Sequence, residues 1–200
     1  MNHNKILKKS SMNYILYQGQ LCGNKELIRK TERRLGELIE KHDLSNKKMA
    51  VHMKKAILPS IAVYKEMLEF GYPREKSIEA IKESAIIANK GMASFFGFIG
   101  KMPFGYAIFR KMCPMAIKNS FCEPGWNMKW ISNNSKTMEF HAKSCLYVDI
   151  MKQENCLELV PIFCQVDDYM YGNMKNIIWD RKKTLGYGDK VCDFRFFKRS

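Results

Sequence analysis

The chain has 200 residues, of which 46% are hydrophobic and 12% aromatic, so it can bury a core and is neither disordered nor collagen-like. Lys and Arg number 34 against 20 Asp and Glu, a net charge of +14. These charges are spread over both halves in short runs, which fits an anionic small substrate as well as nucleic acid. The seven cysteines are irregularly spaced and contain no CxxC pair, which argues against a secreted disulfide framework.

The sequence contains neither a recognisable signal peptide at its N-terminus nor an apolar segment typical of a membrane span. The N-terminus carries basic residues without a continuous apolar stretch. The most apolar region, residues 93–109, is interrupted by glycines, Lys101 and Pro103. We therefore expect a reduced, cytoplasmic protein without a membrane partner.

The first half of the chain is predicted to be helical. Residues 1–22 are expected to form a loosely attached tail, and residues 23–123 a helical layer that begins at the capping residue Asn24. Pro59 is expected to kink its helix, and residues 91–105 to form a glycine-broken aromatic passage. From hydrophobic spacing, the predicted helices cover residues 25–42, 47–70, 73–88 and 106–117.

The pattern changes near Pro124, where alternation of apolar and polar residues begins. Residues 126–142 predict a β-hairpin, two helical patterns follow, and two strands end the chain. Residues 124–200 are therefore predicted as a β-β-α-α-β-β unit with an antiparallel sheet. The fold class is α+β, with the helical N-terminal half packed on this C-terminal unit, as one compact domain overall.

The common cofactor and metal motifs are absent from the sequence. The four histidines lie far apart, and no HxxxH, HExxH or paired-cysteine spacing occurs. There is no complete phosphate loop and no GxSxG nucleophile motif. We predict no cofactor and no dedicated metal site, and leave a divalent metal open.

One group of reactive residues follows an apolar run in the C-terminal half. Cys164, Asp167 and Asp168 share one face of a predicted helix because their spacings are three and four residues. A carboxylate raises the pKa of a neighbouring thiol, so the aspartates are candidates for a general base that activates water or for the partner of a cationic substrate. The structural alternative is that Cys164 is a core residue and that the aspartates end the helix.

A second group lies at the end of the chain. Asp193 and Arg195 share one face of the last predicted strand, where they either pair or face a ligand, and Cys192 lies on the other face. Arg181 and Lys183 share a strand face and are candidates for binding a carboxylate. The structural alternative is a solvated strand face with a weak surface ion pair.

Two segments of the chain resemble the L-2-amino-thiazoline-4-carboxylic acid hydrolase family. They are the FCxxD segment within ELVPIFCQVDD, residues 158–168, and the sequence KTLGYGDKVCDFRF, residues 183–196. The resemblance is specific over about residues 136–197. It implies hydrolytic ring opening of a cyclic amidine that bears a carboxylate, giving a carbamoyl-cysteine.

The implied reaction assigns roles to the two groups. Asp167 or Asp168 would activate water, and Asp193 would keep the amidine protonated. Arg195 or Arg181 would bind the substrate carboxylate. In the alternative mechanism, Cys164 or Cys192 attacks the amidine carbon directly. The candidate catalytic residues are Cys164, Asp167, Asp168, Cys192 and Asp193, and the candidate substrate-binding residues are Arg195, Arg181 and Lys183.

Two other functions compete with the hydrolase. One is a non-catalytic module that binds or senses a small metabolite in the same pocket. The other, a nucleic-acid-associated protein, rests only on the net charge of +14, and the motifs lie away from the lysine-rich helices. We therefore expect a small-molecule substrate as the partner and no nucleic acid; a homo-oligomer is compatible with the sequence.

Overall fold

The computed structural model describes residues 2–199 and has an α+β architecture. Its α-helices are α1 (His3–Lys8), α2 (Asn13–Tyr17), α3 (Lys25–Lys41), α4 (Lys47–His52), α5 (Leu58–Glu69), α6 (Arg74–Ala88), α7 (Lys90–Lys101), α8 (Gly105–Ser120), α9 (Leu146–Gln153) and α10 (Val160–Tyr171). Its strands are β1 (Met128–Asn133), β2 (Thr137–Ala142), β3 (Ile177–Asp180) and β4 (Cys192–Lys198). This element order confirms the predicted fold class and the β-β-α-α-β-β arrangement.

The chain divides into two compact units, and both differ from the predicted boundaries. Unit 1 comprises Met1–Asn89 and Ile150–Phe163, and unit 2 comprises Lys90–Asp149 and Cys164–Ser200. The division follows packing rather than chain order, so α7 and α8 belong to the unit that contains the sheet. Within residues 2–199, no helix is long and apolar enough to cross a lipid bilayer.

Residues 1–22, expected as a tail, form α1 and α2 over the part that the structure describes. Their apolar side chains, including Leu7, Ile15 and Leu16, are buried in unit 1. The Ser11 N–H donates to the carbonyl of Lys55 at 2.8 Å, which ties these helices to the rest of unit 1.

The Lys55 carbonyl is free to accept from Ser11 because Pro59, four residues further on, has no N–H to donate the usual helical hydrogen bond. The chain there forms a π-helical turn, Met53–Ile57, where we expected a kink.

A buried carboxylate joins two parts of unit 1. The Glu154 side chain is 3% exposed. Its carboxylate accepts hydrogen bonds from the ammonium groups of Lys41, at 2.7 Å, and Lys65, at 2.8 Å, and it lies 2.9 Å from Nε2 of His42. Burial raises the pKa of Glu154, but the hydrogen bonds from these three side chains outweigh burial and hold the pKa at about 2.

Replacing Glu154 by Gln is expected to lower the free energy of unfolding by about 2–3 kcal/mol at neutral pH, because cations next to a buried site lose their counter-charge. A folded-state pKa of about 2 means that the ionised group stabilises the fold above pH 4.5 and loses this effect as the pH falls towards 2. Denaturant unfolding at several pH values measures both effects. Glu40→Gln, an exposed change in α3, is the control and is expected to be neutral.

Unit 2 contains a four-stranded antiparallel sheet in the order β1-β2-β4-β3. Aromatic side chains from α7, α8, α10 and β4 form its core together with residues of β2 and β3. The alternation predicted for the last strand is confirmed at Phe194 and Phe196, which both pack into this core. The passage 91–105, expected to be broken by glycines, contains most of α7, and its Gly100 packs closely against a neighbouring segment instead of ending the helix.

Gly100 shows why α7 needs a glycine. A Cβ on Gly100 would lie 2.5 Å from the Cα of Met174, whereas a Cβ on Gly97 would meet its nearest atom, the Asn173 carbonyl oxygen, at 3.8 Å. Overpacking in Gly100→Ala is therefore expected to lower the free energy of unfolding by about 1–3 kcal/mol. The higher helix propensity of alanine offsets up to about 1 kcal/mol of this loss. The matched Gly97→Ala change is expected to stabilise it slightly. Thermal unfolding of the two variants tests the contrast, and equal melting temperatures would contradict it.

Candidate functional site

The Arg181 guanidinium joins the predicted aspartates at the end of β3. Its Nη1 donates to Asp167 Oδ2 at 2.9 Å, and its Nη2 donates to Asp168 Oδ1 at 2.9 Å and to the Cys164 carbonyl at 2.7 Å. The Arg181 side chain is 2% exposed, and its guanidinium lies 5.4 Å from the ring centre of Trp179. One buried cation thus holds Cys164, Asp167 and Asp168, three of the predicted residues, on one face of α10.

The two aspartates have different surroundings. Burial raises the pKa of Asp167 to about 6, and the nearby Arg181 opposes this rise. Within residues 2–199, no group donates a hydrogen bond to Asp167 Oδ1. Asp168 is half-exposed and its Oδ1 accepts from both Arg181 and the Trp179 indole N–H. Asp167 therefore has a pKa close to neutrality and an oxygen that is available to a ligand or to water.

Asp193 and Arg195 occupy the same face of β4, as the alternation predicted, and they form an ion pair at 3.2 Å. Asp193 Oδ1 also accepts the backbone N–H groups of Lys182 and Lys183, at 3.0 and 2.6 Å. Arg195 is engaged further by Asp180 at 2.8 Å. In this structure Asp193 anchors the segment that follows β3, and Arg195 binds two carboxylates of the protein itself.

Three thiols of unit 2 influence one another electrostatically. They are Cys145, Cys164 and Cys192. Burial raises the pKa of Cys145 to about 11 and of Cys192 to about 12, and it raises that of Cys164 as well. Cys145 precedes α9, and its sulfur accepts hydrogen bonds from backbone N–H groups of this helix. These bonds lower the pKa of Cys145, but they offset only part of the rise that burial causes. Few thiolates are therefore present at neutral pH, so the thiols are weak nucleophiles in this structure.

The structure adds residues that the sequence analysis did not select. Thr184 is buried, its Oγ1 lies 3.5 Å from Cys164 Sγ, and it caps a short 3-10 turn. Tyr147 and Tyr171 both interact electrostatically with Asp167, and burial raises the pKa of each phenol. Thr184 directly precedes the glycine-containing turn, which is a sequence signal for a cap. The two tyrosines had no comparable signal because only the fold brings them to Asp167.

Lys183 completes the predicted set. Its side chain is exposed, and among residues 2–199 no carboxylate lies within ion-pair distance of its ammonium group. Arg181 and Arg195, by contrast, are already paired with aspartates. Lys183 is therefore the predicted cation that has its charge available to a ligand.

No group of three or more His, Cys, Asp and Glu side chains among residues 2–199 is arranged to hold a metal ion. A cavity of about 470 Å³ lies in unit 1 and is lined by Asn2, Lys5, Ile6, Lys9, Lys54 and Lys55. It contains none of the predicted site residues. The candidate site is therefore defined by its side chains around Arg181 rather than by that cavity.

Comparison with known proteins identifies the family. Residues 50–196 match the sequence model of the L-2-amino-thiazoline-4-carboxylic acid hydrolase family. The match begins well before the segment in which the resemblance is specific, and it includes every candidate residue. No curated protein and no solved structure matches the chain significantly. Since the match covers nearly three quarters of the sequence, the chain belongs to the L-2-amino-thiazoline-4-carboxylic acid hydrolase family.

Proposed function

We propose that the protein is a hydrolase that opens the ring of L-2-amino-thiazoline-4-carboxylate, or of a closely similar cyclic amidine, to give a carbamoyl-cysteine. Membership of the family supports the class of reaction. The observation that carries the proposal is Asp167, a carboxylate with a pKa of about 6 and one oxygen to which no group of residues 2–199 donates. Such a group is suited to act as a general base near neutral pH.

In the proposed reaction, Asp167 accepts a proton from a water molecule as the water oxygen attacks the amidine carbon. The resulting tetrahedral carbon then releases one ring heteroatom, which receives the proton. Breaking the carbon–sulfur bond frees a thiol, and breaking the ring carbon–nitrogen bond frees an amine. Lys183 is our candidate for the cation that binds the substrate carboxylate, because both arginines are already paired.

The water mechanism is favoured over thiol attack. The raised pKa values of Cys164 and Cys192 leave little thiolate at neutral pH, which disfavours a covalent intermediate. Cys164→Ser and Cys192→Ser are therefore expected to keep turnover. Loss of activity in one of them, together with a covalent adduct detected by mass spectrometry of the wild type, would replace water by a thiol as the nucleophile.

The first experiment incubates the purified protein with L-2-amino-thiazoline-4-carboxylate. Mass spectrometry follows carbamoyl-cysteine, and a thiol reagent shows which ring bond has broken. A parallel sample with EDTA tests for a required divalent metal. Binding of the compound without turnover would instead support the metabolite-binding module.

We expect kcat/KM to rise with pH through the pKa of Asp167. Asp167 must be ionised to act as a base, so with a pKa of about 6 the rate at pH 5 is roughly one tenth of its plateau. The pKa of the substrate is measured separately, and the kcat/KM values are corrected for the fraction of substrate in each protonation state. A rate that rises only in the alkaline range where Cys192 ionises would point to a thiol instead.

A further inference from the structure

Helix α8 is apolar on two opposite sides. Its inner side chains pack into the core of unit 2: Tyr106, Phe109, Cys113 and Ile117. Its outer stripe lies in solvent and consists of Phe104, which caps the helix, Ile108, Met112 and Met115, at spacings of four, four and three residues. Phe104 is 77% and Met115 66% exposed. A helix that is apolar on both sides is normally covered on both sides.

Helix α7 repeats this arrangement. Phe96 and Ile99 pack into the same core as the inner side of α8. Met92, Phe95 and Phe98, three residues apart, are exposed, Phe98 by 61%. Both helices turn their inner sides to the same core and also pack against each other, so we consider their exposed stripes together. We call the seven exposed residues of α7 and α8 the outer face.

Of the fourteen large apolar side chains that are exposed among residues 2–199, seven belong to the outer face, so they are concentrated there rather than scattered. The outer face includes four methionines and phenylalanines that are at least 49% exposed: Met92, Phe98, Phe104 and Met115. Exposed apolar side chains concentrated in this way mark a site of interaction with a protein or a membrane. Among the aromatic residues of this region, Phe96, Tyr106 and Phe109 pack into the core of unit 2, whereas Phe95, Phe98 and Phe104 are exposed.

The charge of the segment indicates the partner. Residues 90–121 contain no Asp or Glu and five basic residues, namely Lys90, Lys101, Arg110, Lys111 and Lys118. Lys111 lies within the outer stripe of α8, between Ile108 and Met115. Two copies of this face would place like charges against each other, so a second copy of the chain is a poor partner. An anionic partner with an apolar interior fits both features.

We propose that the outer face of α7 and α8 docks on an anionic lipid bilayer. The phenylalanine and methionine side chains enter the boundary between headgroups and acyl chains, and the lysines contact the lipid phosphates. The helices lie in the plane of the interface, with their inner sides still on the core of unit 2. This proposal departs from the expectation that the protein has no membrane partner.

Sedimentation with lipid vesicles tests the proposal on the full chain. Vesicles of phosphatidylcholine alone are compared with vesicles that also contain phosphatidylglycerol. We expect the protein to partition into the anionic vesicles about tenfold more strongly, and added salt to weaken this binding, because the attraction of lysines to anionic lipid is screened. Equal binding to both vesicles, or no binding to either, would overturn the proposal.

Matched variants distinguish binding through the outer face from nonspecific binding through other exposed apolar side chains. The double change Phe98→Ser with Phe104→Ser is expected to reduce partitioning about tenfold, since burial of apolar side chains supplies part of the binding. The control, Val51→Ser with Leu157→Ser, removes two exposed apolar side chains of unit 1 and is expected to leave binding unchanged. Equal loss in the control would contradict the proposal.

Two further measurements keep the test decisive. Lys111→Glu, which leaves the apolar side chains in place, is expected to weaken binding to anionic vesicles, and a fold check by circular dichroism accompanies every variant. Analytical ultracentrifugation of the wild type and of the phenylalanine double variant tests for self-association. A wild-type dimer that this variant converts to a monomer would show that a second copy covers the outer face, and would overturn the membrane proposal.

Discussion

Asp167→Asn is expected to lower kcat/KM by roughly 10²–10⁴-fold, the range typical for loss of a general base. The amide keeps an oxygen that accepts from Arg181 Nη1, so the fold is expected to survive, but it cannot take a proton from water. Activity assays with circular dichroism of the same samples measure both properties.

Asp168→Asn is the matched control for this prediction. Asp168 follows Asp167 directly, accepts from the same guanidinium and is half-exposed, but its Oδ1 is already occupied by two donors. We expect it to keep most of the activity. Full activity in Asp167→Asn, or loss confined to Asp168→Asn, would show that the base has been assigned to the wrong carboxylate.

Removing the charge of Arg181 is expected to have the largest effect on stability in unit 2. Arg181→Met leaves Asp167 without its ion-pair partner and removes the side-chain donor to the Cys164 carbonyl. The cost is about 2–4 kcal/mol, below the upper range for buried pairs because both aspartates are partly exposed. Denaturant unfolding measures this loss, and Lys182→Met, at an exposed neighbouring position, is the control.

The same substitution also changes the titration of Asp167. Arg181 lowers the pKa of this carboxyl, so its removal is expected to move the midpoint of the pH–rate profile to higher pH. Arg181→Lys keeps a charge but loses the two-pronged hydrogen bonding, and we expect it to recover part of the stability. An unchanged midpoint in Arg181→Met would mean that a group other than Asp167 controls the rate.

The sequence by itself predicted the order of elements from α8 onward and the helix face that carries the candidate residues. Periodicity predicted most helices and the β-β-α-α-β-β order, because hydrophobic spacing reflects which side of an element is buried. Spacings of three and four residues also placed Cys164, Asp167 and Asp168 together, since one helix relates them locally. The family resemblance depended on such contiguous segments as well.

The tertiary structure decided everything that depends on residues distant in the chain. It placed Arg181 of the segment after β3 against α10, and it brought Tyr147, Tyr171 and Cys145 close enough to Asp167 for the aspartate to raise their pKa values. It also showed that Gly100 allows α7 to approach Met174, where the sequence suggested a break. Burial, ion pairing and close packing are properties of the space around a side chain, and local spacing in a single sequence does not contain them.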